Sequence, residues 1–100
     1  MKLAVLFPGQ GSQYIGMGRE FMDSSDECRE IMAMAESVCD FPLAKIISAG
    51  PMEELTRAAV LQPAITVTNL ICLKALQAAL PESVEISCCA GHSLGEFSAL

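Results

Sequence analysis

A serine between two glycines is the strongest chemical signal in the sequence. Residues 91–95 are Gly-His-Ser-Leu-Gly, with glycines two positions before and two after Ser93. This G-x-S-x-G pattern is typical of a sharp strand-to-helix turn, which leaves no room for side chains at its flanks. The turn presents the serine hydroxyl as a nucleophile for a carbonyl carbon, and the backbone N–H of Leu94 would supply half of an oxyanion hole. An ordinary strand–turn–helix connection that contains Gly and Ser remains the alternative.

A second loop could contribute to the same chemistry. It has the sequence Pro8-Gly-Gln-Gly-Ser-Gln13, and Gly9 and Gly11 would let the backbone come close to a ligand or to another loop. Neither common phosphate-binding pattern is met, because Tyr14 stands where a third glycine is needed and Met17 where a P-loop has lysine. A tight strand-to-helix turn is the other interpretation of these glycines.

Two apolar runs must position these loops. Leu3–Phe7 and Ile86–Ala90 are nearly uninterrupted apolar segments, which is typical of strands buried on both faces of a parallel sheet. The residues between them predict helical crossovers, so we expect an α/β fold. The carboxyl ends of neighbouring parallel strands lie at one edge of the sheet, so the loop around Gln10 should lie beside Ser93.

Helical spacing and breakers place the helices between the strands. The longest, Gln62–Leu80, is apolar around most of its circumference and should be buried, with Pro63 in its first turn. Gln62 would then be either a cap or a polar group directed at a site. Shorter helices are expected at 17–25, from Ser25 or Asp26 to Cys39, at 43–47 and at 52–59.

Composition limits the possible partners and compartment. Twelve acidic against six basic residues give a net charge of −6, which argues against nucleic acid or an anionic membrane as partner. No signal peptide is recognised, and no apolar run is expected to approach the roughly 18 residues of a membrane span. The five cysteines contain no C-x-x-C pair, so we expect no metal site and reduced, buried thiols in a cytoplasmic protein.

Three stretches together resemble one family: the malonyl-CoA:acyl-carrier-protein transacylases and the acyltransferase domains of fatty-acid and polyketide synthases. They are LAVLFPGQGSQYIGMG, LQPAITVTNL and GHSLGEFSAL. The resemblance implies a ping-pong reaction without cofactor, in which Ser93 carries malonyl from malonyl-CoA to the phosphopantetheine thiol of acyl carrier protein. It assigns the oxyanion N–H groups to Gln10 and Leu94.

The same match places Gln62 near the active site, and we expect Gly9, Gly11 and His92 beside it in the substrate-binding part. Leu94 is also compatible with malonyl specificity. As the immediate neighbour of Ser93, His92 is poorly directed to act as its base, and packing of the turn is the better interpretation.

The family pattern continues past Leu100, with its catalytic histidine, its malonyl-binding arginine and a ferredoxin-like subdomain. We therefore expect residues 1–100 to be the N-terminal part of an α/β-hydrolase-like subdomain, inactive alone. Two alternatives remain: a serine hydrolase such as a thioesterase, which shares the serine turn, and a non-catalytic piece that packs or binds carrier protein.

Overall fold

A computed structural model describes residues 1–100 as two strands and six helices. In chain order these are β1 (Lys2–Phe7), α1 (Arg19–Ser24), α2 (Asp26–Val38), α3 (Leu43–Ala49), α4 (Met52–Thr56), α5 (Ala58–Ala79), β2 (Glu85–Gly91) and α6 (Gly95–Ala99).

The two strands form one parallel sheet, which confirms the expected α/β class. Lys2 pairs with Glu85 at one end and Phe7 with Gly91 at the other. A register shift follows Leu3, and there the Ser87 hydroxyl donates a hydrogen bond to the Leu3 carbonyl at 3.1 Å. Because Phe7 and Gly91 are paired, the loops that follow the strands leave from the same edge of the sheet.

The expectation that both strands are buried on both faces was wrong. Burial alternates along β1: Phe7 is buried, whereas Leu6 is 76% exposed. In β2, Cys88, Cys89 and Ala90 are all exposed. The apolar runs are typical of a sheet that is packed on both faces, but the six helices of this chain cover only part of the sheet surface.

The core lies among the helices, with α5 in contact with every other helix. Its buried members are mostly aliphatic, and they are Met17, Cys28, Met32, Leu43, Ile46, Ile47, Leu55, Val60, Ala64, Val67 and Ile71. By length and apolar composition alone, α5 could cross a membrane, so the expectation that no segment approaches that length was wrong. A core helix meets the same criteria, and the residues of α5 between Val60 and Ile71 are largely buried inside this fold.

Helix α5 also begins one turn earlier than predicted, at Ala58, so Pro63 lies in its second turn. The first turn is stabilised by Val60 and Leu61, each 2% exposed, whose N–H groups donate to the Arg57 carbonyl at 2.9 and 2.7 Å. The burial of these two side chains outweighs the preference of proline for a first turn.

The remaining helices lie close to their predicted positions. Ser25 is the N-cap of α2, as expected, and its Oγ accepts from the Cys28 N–H at 3.2 Å. The helix expected over 52–59 instead ends at Thr56, because Arg57 adopts an extended conformation with ψ of 134°.

All five cysteines are free thiols, as expected, but the prediction that all are buried was wrong. Only Cys28 is buried, and Cys39 is half-buried. Cys72, Cys88 and Cys89 are exposed, the last two because they lie on the poorly covered strand β2. The cytoplasmic location stays a prediction.

Candidate active site

Ser93 lies at the strained position of a tight turn between β2 and α6. Its φ of 53° makes it the only non-glycine residue with a positive φ. A side chain in this left-handed region typically costs on the order of 1–3 kcal/mol, and such strain is concentrated at functional sites. The Ser93 residue is exposed. We call residues 91–95 the elbow.

Both glycines of the elbow are required by close backbone contacts. A Cβ on Gly91 would collide with the carbonyl group of Gly95, where α6 begins. A Cβ on Gly95 would collide with the Phe7 carbonyl and lie 2.7 Å from the Pro8 carbonyl oxygen. The second glycine therefore lets the elbow lie directly on the end of β1.

The loop after β1 lies against the elbow, as predicted from the parallel strands. The His92 N–H donates to the Phe7 carbonyl at 3.1 Å. A Cβ on Gly9 would collide with the His92 carbonyl and lie 3.2 Å from the Leu94 nitrogen. Gly9 is thus needed for close approach, whereas Gly11 has open space around its Cβ position and is favoured by its φ of 104°.

The N–H groups of Gln10 and Leu94 donate no hydrogen bond within the chain. Their neighbours do: the Gly11 N–H donates to the Gln13 side-chain oxygen at 2.8 Å, and the Gly95 N–H to the His92 carbonyl at 2.9 Å. Two free donors on adjoining backbone segments, next to an exposed serine, are what an oxyanion hole needs.

A cavity of about 320 Å³ joins the predicted residues Gln10, Gln62, Ser93 and Leu94. A larger cavity of about 360 Å³, between β1 and α5, does not contain Ser93. We place the candidate site in the smaller cavity because it contains Ser93, the predicted nucleophile, and we call it the Ser93 cavity.

Gln62 is not a helix cap. It lies in the second turn of α5, is exposed, and lines the Ser93 cavity, whereas the cap position of α5 is Arg57. The early start of α5 therefore rules out the cap interpretation of Gln62, and its role at the site stays a prediction.

Three predicted substrate-binding residues, Gly9, Gly11 and His92, are absent from the cavity lining. The His92 backbone N–H donates to the Phe7 carbonyl and the His92 carbonyl accepts from the Gly95 N–H, which fits a packing role. Gly9 contacts the elbow through its backbone. Their substrate-binding roles stay predictions.

Sequence reasoning missed several residues that line the cavity: Thr56, Ala58, Leu61, Glu96 and Phe97. Glu96 and Phe97 directly follow the elbow, so their proximity could have been inferred. Thr56 and Ala58 flank the break between α4 and α5, which no motif marks. The site has no group of three or more His, Cys, Asp or Glu side chains that could hold a metal ion.

Comparison with known proteins identifies the family of this chain. Residues 5–100 match the acyl transferase domain family. The malonyl CoA-acyl carrier protein transacylase of Bacillus subtilis strain 168 is 38% identical over 99 residues, which are 99% of this chain and 30% of that protein.

Two solved structures show the same fold. An acyl carrier protein S-malonyltransferase from Vibrio cholerae aligns with a TM-score of 0.86 and 34% identity, over 97% of this chain and 31% of that one. A malonyl-transacylase in complex with its type II PKS acyl carrier protein aligns with a TM-score of 0.88 and 34% identity, over 100% of this chain and 32% of that one. The chain thus spans about a third of the length of these relatives, and it belongs to the acyl transferase domain family.

Proposed function

We propose that this chain supplies the nucleophile and oxyanion hole of an enzyme that transfers malonyl from malonyl-CoA to acyl carrier protein. The observation that carries the proposal is the strained Ser93 next to the free N–H groups of Gln10 and Leu94. The acyl group and the carrier are inferred from the names of the relatives.

The first half-reaction would load the serine. Ser93 Oγ attacks the thioester carbonyl, the oxygen of the tetrahedral intermediate accepts hydrogen bonds from the Gln10 and Leu94 N–H groups, and the C–S bond breaks. Coenzyme A leaves as the thiol with the proton that the serine lost, and the malonyl group stays as an ester. In the second half-reaction the phosphopantetheine thiol attacks this ester, and Ser93 regains a proton.

A general base is needed to move these protons, and His92, the only histidine, does not line the Ser93 cavity. The resemblance assigns the base and the malonyl-binding arginine to positions beyond Leu100. We therefore propose that residues 1–100 form part of an α/β-hydrolase-like subdomain and are inactive by themselves.

Acyl loading and transfer test this proposal. A protein of the relatives' length that carries this chain is incubated with malonyl-CoA, with and without holo acyl carrier protein, beside its Ser93→Ala variant. We expect a malonyl adduct on the protein, transfer to the carrier thiol, and loss of both in Ser93→Ala. Release of free malonate at the same rate with or without carrier would instead favour a thioesterase, and carrier binding without an adduct would favour a binding role.

A further inference from the structure

Asn69 joins the two segments that carry the free N–H groups. This residue of α5 is 6% exposed, and its Nδ2 donates to the Pro8 carbonyl at 3.2 Å and to Ser98 Oγ at 3.1 Å. Pro8 directly precedes the Gly9–Gln10 backbone, and Ser98 belongs to α6, which follows the elbow.

Both N–H bonds of the Asn69 amide are used, one on each segment. Pro8 and Ser98 lie 61 and 29 positions from Asn69 in the sequence, so these hydrogen bonds are not part of a local turn. Leaving a buried polar group unpaired is costly. The buried Asn69 amide therefore favours a fold in which Pro8 and Ser98 both stay within hydrogen-bonding distance of it. The close approach of Gly95 to the Pro8 carbonyl occurs at the same junction.

Asn69 does not line the Ser93 cavity, so direct contact with the acyl group is not its role. It lies at the larger cavity between β1 and α5, on the other side of the loop–elbow junction. Its two hydrogen bonds instead constrain the relative position of the Gln10 loop and α6.

We infer that Asn69 is a positioning residue that sets the separation of the Gln10 and Leu94 N–H groups. This inference rests on the proposed function, because the separation matters for rate only if an oxyanion forms between the two donors. A misplacement of about 1 Å can cost on the order of 10²-fold in rate.

The test compares three variants in a protein of the relatives' length that carries this chain. Asn69→Leu removes both hydrogen bonds at similar side-chain size, and Ser98→Ala removes one. Thr68→Val is the matched control, because Thr68 is buried on the same turn but approaches Gly18 instead of the elbow. Malonyl transfer from malonyl-CoA to holo acyl carrier protein gives kcat and KM, and labelling of Ser93 by a fluorophosphonate gives a rate that does not depend on malonyl.

We expect Asn69→Leu to lower kcat and the labelling rate at least tenfold, and to keep KM within about twofold of the wild-type value. These rates are measured at temperatures where the variant is fully folded. Ser98→Ala should show a smaller loss, and Thr68→Val no loss. A lower melting temperature with unchanged kcat and labelling would mean a merely structural role and would overturn the inference.

A spectroscopic readout keeps the inference separate from the proposed function. The ¹H–¹⁵N resonances of Gln10 and Leu94 should shift in Asn69→Leu and stay in place in Thr68→Val, whether or not the protein transfers malonyl. Unchanged Gln10 and Leu94 resonances in Asn69→Leu would overturn the inference. If Asn69→Leu fails to fold, unchanged Gln10 and Leu94 resonances in Ser98→Ala would overturn it instead. Absence of malonyl loading in the wild type, with shifted resonances in the variant, would contradict only the proposed substrate.

Discussion

Gly9 and Leu94 are in backbone contact although they lie near opposite ends of the sequence. A Cβ on Gly9 would be 3.2 Å from the Leu94 nitrogen and would collide with the neighbouring His92 carbonyl. The contact places the loop that contains Gln10 beside the elbow that contains Ser93.

Replacing Gly9 should therefore separate the two loops. In Gly9→Ala the new methyl group must displace backbone, since the nearest atom is a carbonyl oxygen, and we expect a loss of about 10²-fold or more in acyl-transfer rate. Gly16→Ala is the control: its φ of 88°, unlike that of Gly9, disfavours alanine, but its Cβ position has open space around it. Equal rate losses in the two variants, measured by single-turnover loading, would show that the contact with the elbow is unimportant.

The strain at Ser93 predicts an inverse relation between stability and activity. Ser93→Gly removes the left-handed penalty of about 1–2 kcal/mol, offset by up to about 1 kcal/mol of chain entropy. We expect it to be more stable than Ser93→Ala by up to about 1 kcal/mol in urea unfolding, with acylation lost in both. A glycine variant clearly less stable than the alanine variant would contradict the strained conformation with φ of 53°.

Gln62 should matter for rate and little for stability. Because it is exposed in the second turn of α5 and lines the Ser93 cavity, Gln62→Ala should change the free energy of unfolding by less than about 0.5 kcal/mol while slowing acyl transfer. Gln77→Ala, exposed further along the same helix, should change neither. Loss of a helix cap would instead lower the free energy of unfolding by about 1 kcal/mol. That loss in Gln62→Ala, with an unchanged acyl-transfer rate, would restore the cap interpretation.

The Cys72 thiol predicts a loss of stability at high pH. Although Cys72 is exposed as a residue, partial burial of its thiol raises the pKa of that thiol above the ordinary 9.0, and negative charge on the nearby Cys28 sulfur raises it further. The folded state therefore disfavours the thiolate, so this contribution to stability is fully present below pH 9 and decreases as the pH rises through the folded-state pKa. Urea unfolding from pH 8 to 10.5 should show a shallower decline in Cys72→Ser than in the wild type. Parallel declines would argue against the raised pKa.

The sequence was sufficient for the parts of the site that depend on local backbone patterns. The elbow follows from the spacing of Gly91, Ser93 and Gly95, and the position of the Gln10 loop follows from two apolar strands that end at one edge. Burial of the strands was misjudged because an apolar run indicates what a strand can bury, whereas the elements that cover it are set by tertiary packing.

Residues that act singly were hardest to predict. Gln62 was placed at a helix start because Pro63 favours first turns, and the burial of Val60 and Leu61 that extends α5 becomes evident only in the folded chain. Asn69 belongs to no motif. The inference about Asn69 rests on two hydrogen bonds to residues distant in sequence, which depend on how α5 packs against the loop after β1 and against α6.

Identifying the acylated residue tests the central claim most directly. A protein of the relatives' length that carries this chain is treated with malonyl-CoA, quenched in acid, digested and analysed by mass spectrometry. We predict a malonyl ester on Ser93 that disappears when holo acyl carrier protein is added before quenching. An adduct on another residue, such as a thioester on one of the exposed cysteines, or no adduct in a protein that still transfers malonyl, would contradict the assignment of Ser93 as the nucleophile.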